Sequence, residues 1–383
     1  MFSHRRSDDD PGERRRVPPP GPAPDLYPRE TAGPGPAGRP GEAGHAPVPG
    51  DPYGHGGQPG AQDWPPGVPS VRTPAAATAP APPRGELADA WRPLSVDGAV
   101  PAFDPRPPTG GLSYRPDTVC DGWSTSALDL RLASVRGYAH RAEGRPREDD
   151  AAAAWDELTG TVVFAVADGV SDAREPHIGS QLACRSAVDE LLAQVRASGG
   201  SVTDWRKLLG NVHWQLVEQA RRILRAQDTP SVDDTAALLA TTLVAGAATP
   251  TAEGVRVVLV SVGDSGVWVI KNQEVYPLKG GKSFGADGLL SSSVRPMPYV
   301  PADAAPFEYL LDQGSVLLVG TDGFGDPLGD GRGAVARLCV QELSRPLPPL
   351  AFAYTLDFYR ETFDDDRTLV ALWPRGGAPG AVR

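Results

Sequence analysis

The amino-acid sequence predicts a layered α+β sandwich of antiparallel sheets, on three observations. Strand-patterned segments come in two groups, and each group is followed by segments of helical periodicity. The later strands are joined by connections that suit hairpins, which makes them antiparallel. The helical segments carry a single apolar face, as helices lying on a sheet do.

In chain order, residues 128–139 place Leu130, Leu132 and Val135 among polar neighbours, the pattern of an opening strand. A polar, basic loop is expected over 140–147, ending in the acidic run Glu148-Asp149-Asp150. Residues 151–158 lead into the β-branched apolar run 161–167, a buried strand that stops at Asp168-Gly169. Cys184, Ala187, Val188, Leu191, Leu192 and Val195 then follow one helical face, which makes Cys184 a core residue. Trp205, Leu208, Leu209, Val212, Leu216 and Ile223 follow another, and Ser201 with Asp204 three residues on resembles its capping box. Strands are predicted at 241–247, at 255–262 ending in Gly263-Asp264-Ser265, and at 267–270 and 274–277. From Lys279 to about Ala305 runs a Gly-, Ser- and Pro-rich stretch too long for a turn, and loops of that length inside a compact domain are usually functional. Strands at 307–311 and 316–320 follow, the second ending at Thr321-Asp322-Gly323. Helical patterns at 334–343 and 349–363 precede a last strand at 368–373, introduced by Asp364-Asp365-Asp366.

Composition sets the boundaries. Much of the 44 Gly and 42 Pro of the 383 residues falls between Pro11 and Pro108, where little else is present but Ala and scattered charge. Such a segment cannot bury enough apolar surface to offset its ordering entropy. Residues 1–110 are therefore expected to be a disordered Pro/Gly/Ala-rich arm, 111–376 a folded domain beginning near Leu112, and 377–383 a flexible tail. The net charge of −11 argues against nucleic acid as the main ligand. Cys120, Cys184 and Cys339 are odd in number and far apart, which fits neither a disulfide framework nor a zinc site. No apolar run approaches a membrane span, and residues 1–16 lack the apolar core of a signal peptide, so a cytoplasmic protein with no membrane partner is expected.

Acidic residues flank the predicted strands at four places: Glu148-Asp149, Asp168, Asp322 and Asp365. A single Asp-Gly at a strand exit is an ordinary turn. Carboxylates gathered from adjacent strand ends can instead share two hard divalent cations, the arrangement that clamps the attacking and leaving oxygens of a phosphoryl group. The histidines suit a zinc enzyme less well, since His140, His177 and His213 lack ligand spacing.

Phe164-Ala165-Val166-Ala167-Asp168-Gly169, then Thr241-Thr242-Leu243, Val262-Gly263-Asp264-Ser265, Leu318-Val319-Gly320-Thr321-Asp322-Gly323 and Asp365-Asp366-Arg367-Thr368 occur in the order of the signatures of the PP2C-type (PPM) serine/threonine phosphatases. The chain resembles that family, as a divergent bacterial branch, over about residues 130–373. The resemblance implies an αββα sandwich, two antiparallel sheets flanked by helices. It also implies a metal set: Asp149 as the first metal aspartate with Glu148 before it, Asp168 bridging two ions with Gly169 offering its carbonyl, Asp322 and Asp365 as further ligands, and Asp264 with a third, weaker ion. Asp149, Asp168, Asp322 and Asp365 are the implied catalytic group, and the stretch from about Lys282 to Ala305 stands in the place of the family's substrate-facing flap. The sequence departs from the family pattern at Val170-Ser171-Asp172, where Met-Gly-Gly is usual, and at Gly266, where Arg is usual. Asp366 stands where the family has Asn, and Asp150 rivals Asp149. Arg141 and Arg145 are candidates for the arginine that grips phosphate.

The expected function is thus a metal-dependent phosphoprotein (Ser/Thr) phosphatase, a monomer that hydrolyses phosphate monoesters with a hydroxide bridged by two Mn²⁺ or Mg²⁺ ions. The competing reading is a pseudophosphatase, a regulatory module that binds phosphoproteins on the same fold.

Overall fold

A computed structural model of the chain describes residues 91–108, 116–202, 204–280, 283–284, 290–291 and 295–376. Its elements are β1 (Leu94–Ser95), β2 (Thr118–Ser124), β3 (Leu128–Val135), α1 (Tyr138–Glu143), β4 (Asp150–Trp155), β5 (Val162–Ala167), α2 (Pro176–Ser198), α3 (Trp205–Leu224) and α4 (Val232–Leu239). There follow β6 (Leu243–Pro250), β7 (Val255–Val262), β8 (Gly266–Lys271), β9 (Glu274–Gly280), β10 (Ser283–Phe284), β11 (Leu290–Ser291), β12 (Phe307–Leu311) and β13 (Val316–Gly320). The last are α5 (Asp322–Leu328), α6 (Ala334–Leu343), α7 (Pro349–Leu356), β14 (Phe358–Tyr359) and β15 (Arg367–Pro374).

Two antiparallel sheets form the centre, one of five strands in the order β12-β7-β6-β5-β4 and one of six in the order β2-β3-β15-β13-β8-β9. Their facing sides pack together: Leu128, Leu130 and Leu132 of β3, Val370 and Leu372 of β15, and Leu317 and Val319 of β13 meet Val162, Phe164 and Val166 of β5. Alternate residues point the other way. Val163, Ala165 and Ala167 pack under α2, α3 and α4, and Leu318, Leu369 and Ala371 pack under α5, α6 and α7. The fold is therefore an αββα sandwich. Because the inner strands are buried on both faces, β5 reads as an unbroken apolar run rather than an alternation.

Several local expectations are corrected. The opening strand stops at Val135, and the expected 140–147 loop begins inside α1. Residues 150–155 are a strand, and β2, α4 and α5 had no clear sequence pattern. The N-cap of α3 is Asp204, which accepts from the Lys207 amide at 2.8 Å, so the expected Ser201 box is displaced by three residues. The helix predicted to reach 363 ends at Leu356, where β14 begins.

The arm boundary near residue 110 also moves. β1 pairs in parallel with β14, Leu94 and Val96 pack on the core beneath the six-stranded sheet, and Phe103 meets the Tyr138 ring edge-on. The amide of Arg106 donates to the Arg141 carbonyl at 2.8 Å. Residues 91–108 thus belong to the domain despite their composition. The expected arm up to residue 90 and the tail at 377–383 lie outside the described residues. Among the described residues, no helix is long and apolar enough to cross a membrane.

Candidate metal centre

Strand register gathers the acidic motifs at one end of the sandwich. Asp150 pairs with Ala167 across β4 and β5, so Asp149 and Asp168 stand opposite each other just beyond that pair. On the other sheet Gly320 pairs with Leu369, and the Thr321 amide donates to the Thr368 carbonyl at 3.1 Å. Asp322 and Asp365 are thereby set beside each other. The two sheets are tied at this end by Thr321, whose Oγ1 donates to Asp149 Oδ2 at 2.8 Å and accepts from the Thr368 amide at 3.1 Å. Such close approach needs small residues. A Cβ at Gly323 would fall 1.9 Å from the Asp366 carbonyl oxygen, and one at Gly169 would fall 2.7 Å from the Pro176 backbone and 2.8 Å from the Glu148 carbonyl oxygen.

Asp168 is held by its backbone. Its amide donates to Thr242 Oγ1 at 2.9 Å, and its carbonyl accepts from the Thr242 amide at 2.7 Å and from Thr241 Oγ1 at 2.8 Å. Thr242 Oγ1 is in turn 2.7 Å from Ser265 Oγ, so the Thr-Thr and Gly-Asp-Ser motifs buttress one aspartate. Gly169 bridges to Thr241 through bonds made by its neighbours, from the Thr242 amide to the Asp168 carbonyl and from the Val170 amide to the Ala240 carbonyl. That bridge leaves the Gly169 carbonyl unused.

The electrostatics are those of crowded carboxylates. Burial, and after it Asp366 and Asp365, pushes Asp149 well above the carboxylate range, against the hydrogen bonds from Thr321 and Thr368. Asp168 is pushed up likewise, by burial and then by Asp149 and Asp322, the latter close enough to share a hydrogen bond with it. Asp365 is raised by burial and by Asp366. These four donors are carboxylates crowded together, which fits a hard divalent cation.

Asp149, Asp168, Asp322 and Asp365 lie close enough to act on one another's charge. Glu148 is placed differently: its carboxylate accepts twice from Arg145 Nη2, at 2.9 and 3.0 Å, and from Ser171 Oγ at 3.3 Å. Burial raises the Glu148 pKa, while His140 and Arg145 oppose that shift. Asp150 caps the amide of Ala151 and lies 3.9 Å from Arg147, which leaves the inward position to Asp149. Asp264 lies half-buried in the turn between β7 and β8, beside the β13 end because Gly266 pairs with Gly320. Arg141 is clamped by Asp117 and Asp357 at 2.8 Å each, whereas Arg145 keeps a third of its side chain exposed at the rim.

Three further contributors escaped the sequence reading. Thr321 was seen only as part of a motif. Asp366, buried at 2% exposure, accepts from the Gly137 amide at 2.6 Å and from the Glu148 amide, and so binds the last motif to the first. Burial works against its charge, but those bonds and His140 hold its pKa below the usual range. The extra acid in Asp364-Asp365-Asp366 was the available signal. The third is the exit of the expected flap, where the amide and carbonyl of Met297 both bond Thr241 (2.8 and 3.1 Å), the residue whose hydroxyl holds Asp168. Pro298 and Ala302 carbonyls accept from His213 and Arg206 of α3. Within the flap, Ser283–Phe284 pairs with Leu290–Ser291, and the rest of 281–294 lies outside the described residues.

Among solved structures the chain is similar to the serine/threonine phosphatase of S. agalactiae, at 18% identity over 65% of this chain and 100% of that one, with a TM-score of 0.44. It is also similar to the Mycobacterium tuberculosis serine/threonine phosphatase PstP/Ppp, at 20% identity, 64% and 98% coverage and a TM-score of 0.43. A third is PppA, described as a key regulatory component of T6SS in Pseudomonas aeruginosa, at 14% identity, 67% and 100% coverage and a TM-score of 0.41. No curated protein matches the chain. The assignment rests on the family model for protein phosphatase 2C, which matches residues 136–347 and so takes in Glu148, Asp149, Asp168, Asp264 and Asp322, while Asp365 lies beyond it. With more than half of its length matched, the chain belongs to the protein phosphatase 2C family, the PP2C-type protein phosphatases.

Proposed function

We propose that this protein is a metal-dependent phosphatase of phosphoserine and phosphothreonine in proteins, with Asp149, Asp168, Asp322 and Asp365 as its metal-holding residues. The convergence of these four carboxylates from both sheets, in a chain of this family, carries the reading. Mn²⁺ or Mg²⁺ ions bound there would supply Lewis acidity and an activated water for in-line attack on phosphorus. The chain's own part is to fix the ligands in advance. Asp168 is locked by Thr241 and Thr242, Asp149 by Thr321, and the first and last motifs by Asp366. Gly169 offers a carbonyl at the same point, Asp264 stands ready at the neighbouring turn for a weaker ion, and Glu148 holds Arg145 at the rim, where its guanidinium can meet a phosphate dianion.

Hydrolysis of a phosphoserine or phosphothreonine peptide by the full chain, with and without Mn²⁺, tests the reading. Activity is expected only with metal, and Asp168→Asn is expected to abolish it while leaving the far-UV circular dichroism and the unfolding transition cooperative. Near wild-type turnover of that variant at saturating Mn²⁺ would remove Asp168 from the centre. Phosphopeptide binding without turnover would favour the regulatory-module reading.

A further inference from the structure

His140 is a buried histidine that the four-carboxylate site does not use. It lies on α1 at 3% exposure with each ring nitrogen facing a carboxylate of the last motif. Nδ1 is 3.0 Å from Asp366 Oδ1, and Nε2 is 3.7 Å from Asp365 Oδ1. His140, Asp365 and Asp366 can each present one donor atom such that all three lie within 4.8 Å of one another. The Nδ1 contact with Asp366 is short, though not well enough aligned to count as a hydrogen bond.

The two contacts differ in kind. Asp366 is 2% exposed and pinned by the Gly137 and Glu148 amides, so it is a fixed anchor for the Nδ1 side of the ring. Asp365, with its side chain 51% exposed, lies 3.7 Å from Nε2, beyond hydrogen-bonding distance. At that distance the pair is a loose ion contact, and a separation between about 3 and 4 Å is also what two donors make when each lies about 2.1 Å from one ion. A carboxylate on the far nitrogen is the arrangement that orients a metal-ligating imidazole.

We propose that Nε2 of His140 is a nitrogen ligand to the ion held by Asp365, with Asp366 as the residue that positions the ring. This rests on the metal-dependent reading given above. It makes the centre a mixed nitrogen and oxygen site, and since imidazole suits the transition metals better than Mg²⁺, it sets Mn²⁺ above Mg²⁺ as the resident ion.

Electron spin echo measurements on the metal-stripped full chain reloaded with Mn²⁺ test the proposal apart from activity. Histidine ¹⁴N modulation is expected at the bound Mn²⁺, changing to the ¹⁵N pattern in protein grown with ¹⁵N-histidine. It should persist in His177→Gln and His213→Gln and vanish in His140→Phe. Asp366→Asn should weaken Mn²⁺ binding by about 10- to 100-fold, as loss of an orienting partner does elsewhere. Should His140→Phe fail to fold, persistence of the signal in His177→Gln, in His213→Gln and in a variant with His4, His45 and His55 replaced by Gln still assigns it by elimination. Mn²⁺ bound without any histidine coupling, or coupling that disappears with His177 or His213, overturns the proposal and leaves the phosphatase reading standing. Absence of both Mn²⁺ binding and metal-dependent phosphopeptide hydrolysis overturns that reading as well.

Discussion

Replacing Thr321 by valine tests whether the two sheets are joined through the metal centre. Thr321 is fully buried, and its hydroxyl both donates to Asp149 and accepts from the Thr368 amide. Valine keeps the shape and removes both bonds. The stranded Thr368 amide should cost about 1–3 kcal/mol, and the lost bond to Asp149 about 0.5–1.5 kcal/mol. One extra buried methyl returns about 0.8 kcal/mol, so the metal-free protein should lose about 1–4 kcal/mol. With metal bound, Asp149 is ionised and the same hydroxyl makes a charge-assisted bond worth about 1.5–3 kcal/mol. The excess appears as weaker metal binding, about tenfold or more. Urea unfolding with and without Mn²⁺, together with calorimetric Mn²⁺ titration, separates the two effects, and Thr321→Ser should restore both. A valine variant whose Mn²⁺ dissociation constant stays within twofold of wild type would refute the idea that Thr321 positions Asp149.

Stability of the metal-free protein should depend on pH with a definite sign. The folded pKa values of Asp149 and Asp168 lie above their unfolded ones, so the folded state binds more protons in the window above about pH 4 and stability falls as pH rises through it. Urea midpoints of the metal-free chain between about pH 5 and 8 should therefore decline, an Asp149→Asn, Asp168→Asn double variant should flatten the trend, and the stabilisation given by Mn²⁺ should grow with pH. Deletion of residues 1–90 should leave hydrolysis of a small aryl phosphate unchanged, whereas deletion of 1–108 strips Leu94, Val96 and Phe103 from the domain and should cost about 2–4 kcal/mol in the same unfolding assay. Equal stability of the two truncations would show that the β1 strap is dispensable. Replacing residues 285–294 by a short Gly-Ser linker leaves the anchored exit at 295–304 in place and should change turnover of phosphopeptides much more than that of an aryl phosphate. Equal changes would count against a selective flap, and loss of both activities would mean that the loop acts on Asp168 through Met297 and Thr241.

Much of the layer order was legible from the chain alone. β5 and β13 are unbroken apolar runs, β7 and β12 alternate, and α2 and α3 show their buried faces as periodicity, because burial on one or both faces acts directly on residue type. The segments that escaped are those held by distant partners. β1 is two residues long and exists because Phe358 and Tyr359 pair with it. β2, at the edge of its sheet, carries Asp121 and Gly122 in its middle and hides no regular face. α5 opens on Asp-Gly and contains Pro327, which helical propensity argues against.

The same division runs through the metal centre. By itself the sequence pointed to carboxylates beside strand ends, and its likeness to the family singled out Asp149, Asp168, Asp322 and Asp365 as the proposed metal set. Tertiary structure alone decided what the remaining polar groups do: Glu148 faces Arg145, Asp366 ties Gly137 to Glu148, and Thr321 reaches Asp149 from 172 residues away. Those roles follow from where a side chain points once two sheets have closed on each other. Residue type and spacing record the burial of a position, but the direction of a buried hydrogen bond is set by whichever strand end arrives opposite it.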